Sequence, residues 1–92
     1  MIALQTKVVA TKNQISTDMS DETVILNLQN GVYYGLDPVG TYIWKLIQEP
    51  TDVETVRDAV LNEYDVEPDR CELDIMNLLQ ELIEQGLVEV QG

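Results

Sequence analysis

The stretch VILNLQNGVYYGLDPVGTYIW, residues 24–44, decides the fold because it predicts a β-hairpin that leads directly into a helix. Apolar residues alternate on both sides of Asn30-Gly31, which is typical of two strands joined by a turn. A two-residue loop would place the two apolar series on opposite faces. A three-residue loop with Gly31 in the left-handed region pairs Leu28 with Val32 and buries one common set. We therefore expect these six residues to share the core face: Val24, Leu26, Leu28, Val32, Tyr34 and Leu36.

A helix is predicted to begin at Asp37-Pro38, immediately after the second strand of the hairpin. Asp37 can accept a hydrogen bond from an unpaired backbone amide, and Pro38 has no amide to leave unpaired at the first helical position. Pro50 ends this segment, whose apolar residues recur at helical spacing. Val39, Ile43, Leu46 and Ile47 should therefore lie on one face of this helix.

Upstream of the hairpin, residues 14–18 predict a short strand, which gives a three-stranded antiparallel sheet. Residues 1–12 are expected to form a flexible arm, with extended pairing limited to Val8 and Val9. This part of the chain carries the weakest pattern.

Downstream, Thr51 and Glu54 have the spacing of a capping box and predict that a second helix starts at Thr51. A third helix is expected over residues 68–85, where Gly86 would end it and residues 87–90 would add a short wing strand. Three strands followed by three helices indicate an α+β fold resembling a winged helix-turn-helix. We expect residues 1–92 to form a single domain.

The composition excludes several function classes. The 92 residues include 17 acidic and 5 basic side chains, no His and one Cys, with a net charge of −12. Cys71 falls on the apolar stripe of the third helix, where a buried hydrophobic role is expected rather than catalysis. The carboxylates lack metal-binding or catalytic spacing, so we expect no enzyme activity, no metal and no cofactor. No apolar run approaches the roughly 18 residues of a membrane span, and no secretory signal is visible, which together predict a cytoplasmic protein.

The acidic charge also disfavours the usual role of a winged helix-turn-helix, which inserts its third helix into the DNA major groove. That helix carries five acidic residues against Arg70 alone, so DNA phosphates would be repelled. An acidic transcription factor or a protein-interaction domain of this fold remains an alternative.

A strand edge next to a helix suggests a peptide-binding site. The strand over residues 32–36 should lie at the sheet edge with unpaired backbone groups, which can accept an extended peptide as a further strand. On the third helix, Cys71, Ile75, Leu78 and Leu82 form a narrow apolar stripe, and further apolar residues extend it along one flank. That flank is either core or one wall of a groove. The candidate peptide-binding residues are Val32, Tyr33, Tyr34, Gly35, Leu36, Met76, Leu79 and Ile83.

The run YYGLDPVGTYIW (residues 33–44), the Thr51-x-x-Glu54 spacing, and the order of Leu78-Leu79, Leu82-Ile83 and Gly86-Leu87 resemble the PqqD-like family. These are precursor-peptide recognition domains (RiPP recognition elements), and the chain is most similar to the leader-binding subunit of lasso-peptide biosynthesis. The resemblance implies that a leader peptide adds antiparallel to the third strand and lies against the third helix. It also implies a pocket for a Tyr-x-x-Pro element.

The same resemblance implies two partners, a transglutaminase-like leader peptidase acting in trans and an ATP-dependent lasso cyclase. An alternative within the family is a PqqD-type peptide chaperone for a radical SAM enzyme in quinone-cofactor biosynthesis. No nucleic acid and no membrane are expected as partners.

Overall fold

The computed structural model describes residues 2–91, in which two antiparallel sheets are combined with three helices. The elements are β1 (Lys7–Ala10), β2 (Gln14–Met19), β3 (Glu22–Asn27), β4 (Tyr33–Leu36), α1 (Pro38–Leu46), β5 (Thr51–Asp52), α2 (Val53–Glu63), α3 (Pro68–Glu84) and β6 (Val88–Gln91). The predicted sheet is confirmed, with the strand order β2-β3-β4, and β4 lies at its edge. The α+β class and the three helices are confirmed as well.

The register of the hairpin differs from the prediction. Ile25 is opposite Tyr34 and Thr23 is opposite Leu36, so the strands are shifted by one residue from the expected pairing. Gly31 has a φ of 72°, as expected, but it lies within a five-residue loop, residues 28–32, rather than a three-residue one. The shift reverses the faces of β3. Tyr34 and Leu36 still face the core, whereas the other four expected members do not: Val24, Leu26, Leu28 and Val32.

Polar side chains explain this register, because two core-facing positions of β3 are polar and fully paired. The Thr23 hydroxyl donates to the Asp18 carboxylate over 3.1 Å. The Asn27 side-chain amide donates to the backbone carbonyl oxygen of Gln85 over 2.7 Å, and its oxygen accepts from the Gln29 amide over 2.9 Å. Since buried polar groups must find partners, these bonds fix which face of β3 points inward. The alternation of apolar residues in the sequence does not by itself show which face of β3 points inward.

The N-terminal segment is structured, which corrects the expectation of a flexible arm and confirms the expected pairing at Val8 and Val9. β1 is the central strand of a second sheet with the order β5-β1-β6. Val8 is fully buried and pairs with Thr51 on one side and Val90 on the other. Ile2 is also buried, and Met1 lies outside the described residues. The predicted wing strand is confirmed as β6.

The helix ends follow their capping residues. Asp37 caps α1 by accepting a hydrogen bond from the Gly40 amide over 2.8 Å, as predicted. The predicted cap of α2 is wrong: Asp52 accepts from the Thr55 amide, whereas Thr51 pairs with β1 and its hydroxyl lies near two backbone carbonyl oxygens. Gly86, with a φ of 76°, ends α3 as predicted.

All three helices lie on one side of the hairpin sheet and enclose the core. The buried apolar residues include Ile25 and Leu36 from the sheet, together with Ile43, Trp44, Ile47, Val53, Val56, Val60, Ile75, Leu79 and Leu82 from the helical region. The rings of Tyr42 and Tyr64 meet edge to face, with centroids 5.7 Å apart, and thereby join α1 to the end of α2. This packing holds α3 beside the edge strand β4. Over residues 2–91, no helix has both the length and the apolar character needed to cross a membrane.

We expect Asn27→Ala to lower the free energy of unfolding by about 1–3 kcal/mol, because it leaves the Gln85 carbonyl and the Gln29 amide without their partner. Urea unfolding at neutral pH measures this change. Asn30→Ala is the matched control, since Asn30 also accepts from a backbone amide, that of Val32, but in an exposed loop. A cost for Asn27→Ala no larger than that of the control would contradict the role given to the buried amide.

Candidate functional site

A cleft of about 490 Å³ lies between the edge strand and two helices. β4 supplies one wall with Tyr34, Gly35 and Leu36. The first turns of α1 form the floor, and the opposite wall is formed by Cys71, Asp74, Ile75 and Leu78 of α3. Because most of these side chains are apolar, the cleft favours apolar ligand groups.

The backbone of β4 offers free hydrogen-bonding groups along this cleft. The Asn27 amide donates to the Val32 carbonyl oxygen, which fixes the alternation of the β3–β4 ladder. In an antiparallel pair, every second residue of an edge strand points its amide and carbonyl away from the neighbouring strand. By this alternation, Tyr33 and Gly35 direct their backbone groups outward, whereas Tyr34 and Leu36 pair with β3. The outward groups form a template for one more strand.

The glycine at position 40 allows α1 to approach β4 closely. A Cβ atom placed on Gly40 would lie 3.2 Å from Asp37 Oδ1 and 3.3 Å from Leu36 Cβ. Gly40 also donates its amide to Asp37, so the helix cap and the close approach use the same residue. The turn from β4 into α1 therefore borders the cleft through Leu36, Asp37 and Gly40.

Tyr34 is the polar side chain on the strand side of the cleft. Burial raises the pKa of Tyr34 to about 12, with a further contribution from the neighbouring Glu81 carboxylate on α3. The phenol is therefore neutral at physiological pH and remains a hydrogen-bond donor. Glu81 and Asp74 place negative charge along the α3 side, where Asp74 lies 3.4 Å from Arg70.

The residues predicted on β4 lie at an open sheet edge, as expected. Some of them contribute side chains to the cleft, whereas others contribute only backbone groups to the edge. Tyr34, Gly35 and Leu36 line the cleft. Val32 precedes the strand, and its amide donates to Asn30 Oδ1 within the loop. The Tyr33 side chain is 68% exposed and points to the opposite face of the sheet, so only its backbone belongs to the edge.

The predicted helix wall needs correction. Leu79 is fully buried in the core, Ile83 is half-buried against it, and Met76 lines a separate cavity with Ile2. The α3 wall of the cleft instead includes Leu78 and Asp74. Leu78, which was expected on the core stripe, therefore lines the cleft, and Leu79, which was expected at the peptide site, lies in the core. Helical spacing groups residues on a face but does not say which neighbouring element each flank meets.

The cysteine that lines this cleft is buried. Cys71 is 5% exposed, and burial raises its pKa, so the reactive thiolate is disfavoured. Within the described residues, no three His, Cys, Asp or Glu side chains are grouped to hold a metal ion. What the arrangement can do is accept an extended chain, with backbone bonds to Tyr33 and Gly35 and side chains entering the apolar cleft.

The chain is similar to known proteins in both sequence and fold. The family model described as coenzyme PQQ synthesis protein D (PqqD) matches residues 22–88. The solved structure of TbiB1 in complex with the TbiA(beta) leader peptide is 36% identical, with a TM-score of 0.83, and the alignment covers 91% of this chain and 98% of that one. A lasso peptide synthetase B1 complexed with the leader peptide shares the fold at 22% identity, with a TM-score of 0.78 and coverage of 89% and 96%. No curated protein matches the chain.

The adjacent leucines of α3 provide a stability test. We expect Leu79→Ala to cost about 2–5 kcal/mol, because it opens a cavity in the core, and Leu78→Ala to cost clearly less, because its side chain borders the open cleft. Urea unfolding of the two variants, which delete the same atoms, makes the comparison direct. Equal costs would show that both leucines are ordinary core residues.

A pH test addresses Tyr34. Its pKa rises from 10.0 to about 12 on folding, so the stability linked to its proton is complete below pH 10 and is lost as the pH rises through about 12. We expect Tyr34→Phe to lose less stability than the unmodified protein over this interval. Urea midpoints measured at about pH 9 and pH 11 check this. Identical losses in both proteins would exclude a raised pKa at Tyr34.

Proposed function

This chain belongs to the PqqD family, and from that premise we propose that it binds the leader segment of a ribosomally made precursor peptide without being an enzyme. The leader adds to β4 as a fourth strand. Binding presents the precursor to a leader peptidase and an ATP-dependent cyclase in lasso-peptide biosynthesis. The observation that carries this proposal is the open edge of β4 beside an apolar cleft.

Strand addition gives the complex both affinity and selectivity. Tyr33 and Gly35 exchange backbone hydrogen bonds with the leader irrespective of its sequence. Every second leader side chain then points into the cleft, where Leu36, Ile75 and Leu78 offer apolar contacts. The Tyr34 phenol lies beside the Glu81 carboxylate, so a leader carboxylate is disfavoured at this position. An extended leader with apolar residues at alternate positions is the ligand that this arrangement suits.

The relatives support leader-peptide binding as the function of this chain. The 36% identical relative spans nearly the whole chain and is described as a complex with a leader peptide. A chaperone for a radical SAM enzyme in quinone-cofactor synthesis is the second candidate, favoured by the description of the family. Both candidates use the β4 edge, and the sequence of the bound precursor distinguishes them.

Regulation of transcription through DNA binding is disfavoured by charge. α3 carries Asp69, Glu72, Asp74, Glu81 and Glu84 but only Arg70, and the whole chain has a net charge of −12. Binding to duplex DNA depends on neutralising phosphates with Lys and Arg. The third helix of this chain offers peptide contacts rather than phosphate contacts.

The proposal is tested by titrating fluorescently labelled leader and core segments of the pathway's precursor separately and following fluorescence anisotropy. We expect the leader to bind and the core segment to bind at least about tenfold more weakly, a difference of about 1.4 kcal/mol. Gly35→Pro should reduce leader affinity, because it removes an outward amide without breaking the β3–β4 ladder.

Ser16→Pro is the matched control. Ser16 lies on β2, the opposite edge of the same sheet, where the Leu28 to Asn13 hydrogen bond sets the alternation and directs the Ser16 amide outward. This variant should retain leader binding. Equal affinity for leader and core segments would contradict the proposal, and normal leader binding by folded Gly35→Pro would move the docking strand away from β4.

A further inference from the structure

The described residues do not by themselves explain why position 35 of β4 is a glycine. The φ of Gly35 is not positive, so its backbone conformation is open to any residue. A Cβ atom added there would meet no described residue within 4 Å other than its chain neighbours, so close packing does not require glycine either. A glycine inside a strand weakens it and often marks a place where a ligand approaches the backbone closely. The open space beside Gly35 is therefore a candidate binding site.

This space is a hollow of about 270 Å³ at one end of the hairpin sheet. Gly35 and Val24, which are opposite each other in the β3–β4 ladder, both line it. Met19 borders it with an exposed side chain, and Glu22 and Asp37 add two exposed carboxylates. All its lining residues lie in the described range, and none of them is basic. The hollow therefore combines apolar surface with negative charge.

We infer that this hollow receives a lysine or arginine side chain of the leader, which rests on the proposed function. A leader strand beside β4 places one residue directly opposite Gly35, and residues in that relation project to the same face of a sheet. Tyr34 and Leu36 face the helices, so Gly35 and the leader residue opposite it face the other way. Since Gly35 has no Cβ, the leader side chain lies across it toward Val24.

The chemistry of the hollow selects a long cationic side chain. Its alkyl stem packs on Val24 and Met19, while its charged end reaches the carboxylates of Glu22 and Asp37. One water occupies about 30 Å³ of liquid, so the hollow has room for a side chain of several non-hydrogen atoms. An acidic side chain would be repelled by both carboxylates. An aromatic ring would cover Gly35 but would gain nothing from the charges.

The leader is then read on both faces of the added strand. The leader residues on either side of the basic one lie opposite Tyr34 and Leu36, and their side chains point into the apolar cleft beside α3. The segment that docks on β4 therefore has a basic residue between two apolar ones. The cleft and the hollow together fix its register on the strand.

A charge scan of the leader tests this inference. The probes are fluorescently labelled leader segments of the pathway's precursor, each with one residue replaced by Lys or by Glu, and anisotropy gives their affinities. We expect one position at which Lys binds about tenfold more tightly than Glu, since the exchange turns attraction into repulsion. This preference should shrink at high salt, which screens exposed charges.

Two glutamate variants locate the charge that is read. Glu22→Gln should reduce the preference for Lys at that position to about threefold, because one of the two carboxylates is lost. Glu89→Gln is the matched control, since Glu89 is also an exposed strand glutamate but lies on β6 of the other sheet. It should leave the preference unchanged. Asp37 is not varied, because it caps α1.

Filling the hollow provides a second test. We expect Gly35→Val to keep or raise the urea midpoint, because valine favours strands, and to weaken binding of the Lys-bearing leader by about tenfold through crowding. A leader with Ala at the same position should bind Gly35→Val and the unmodified protein equally, since its side chain is too short to enter the hollow.

Three results would overturn the inference while leaving the proposed function intact. These are leader binding without a position that prefers Lys, a preference for Lys that survives Glu22→Gln, and unchanged binding of the Lys-bearing leader by Gly35→Val. If the unmodified protein did not bind the leader, the proposed function would fail and this inference with it.

Discussion

The hydrogen bond from the Asn27 side-chain amide to the Gln85 carbonyl oxygen is the constraint on which the arrangement of the site depends. It joins the end of β3 to the end of α3 and requires Asn27 to point inward. Because side chains alternate along a strand, Ile25 and Thr23 must then point inward too. The orientation of β4 is set by its pairing with β3. Tyr34 and Leu36 therefore face the helices, while Tyr33 and Gly35 keep their backbone groups at the free edge.

The end of α3 shows how local and long-range bonds cooperate at this junction. Gly86 adopts a left-handed conformation, its amide donates to the Ile83 carbonyl, and the Leu87 amide donates to that of Leu82. These two bonds form a Schellman motif, which satisfies carbonyl groups that the helix would otherwise leave free. The Gln85 carbonyl is left for Asn27. Helix termination and hairpin register are therefore set together.

The edge strand combines two properties that usually conflict. An open edge invites uncontrolled pairing with other chains, and natural proteins normally cover or charge such edges. Here the β4 edge is short, only four residues, and opens onto a cleft bounded by α3. A net charge of −12 separates copies of the chain from each other. Self-association is thus opposed by charge while the edge stays available to a peptide that suits the cleft.

Much of this protein follows from its sequence, because local chemistry determines where elements begin and end. Asp37-Pro38 begins α1, Gly86 ends α3, and the acidic surface disfavours nucleic acid, all of which depend on neighbouring residues or on composition. Only the tertiary structure decided which face of β3 is buried and which flank of α3 meets β4. Apolar periodicity identifies a face without identifying what covers it. Buried polar bonds such as that of Asn27, whose partner lies 58 residues away, contribute to the choice of the β3 face. Leu78 rather than Leu79 lines the cleft.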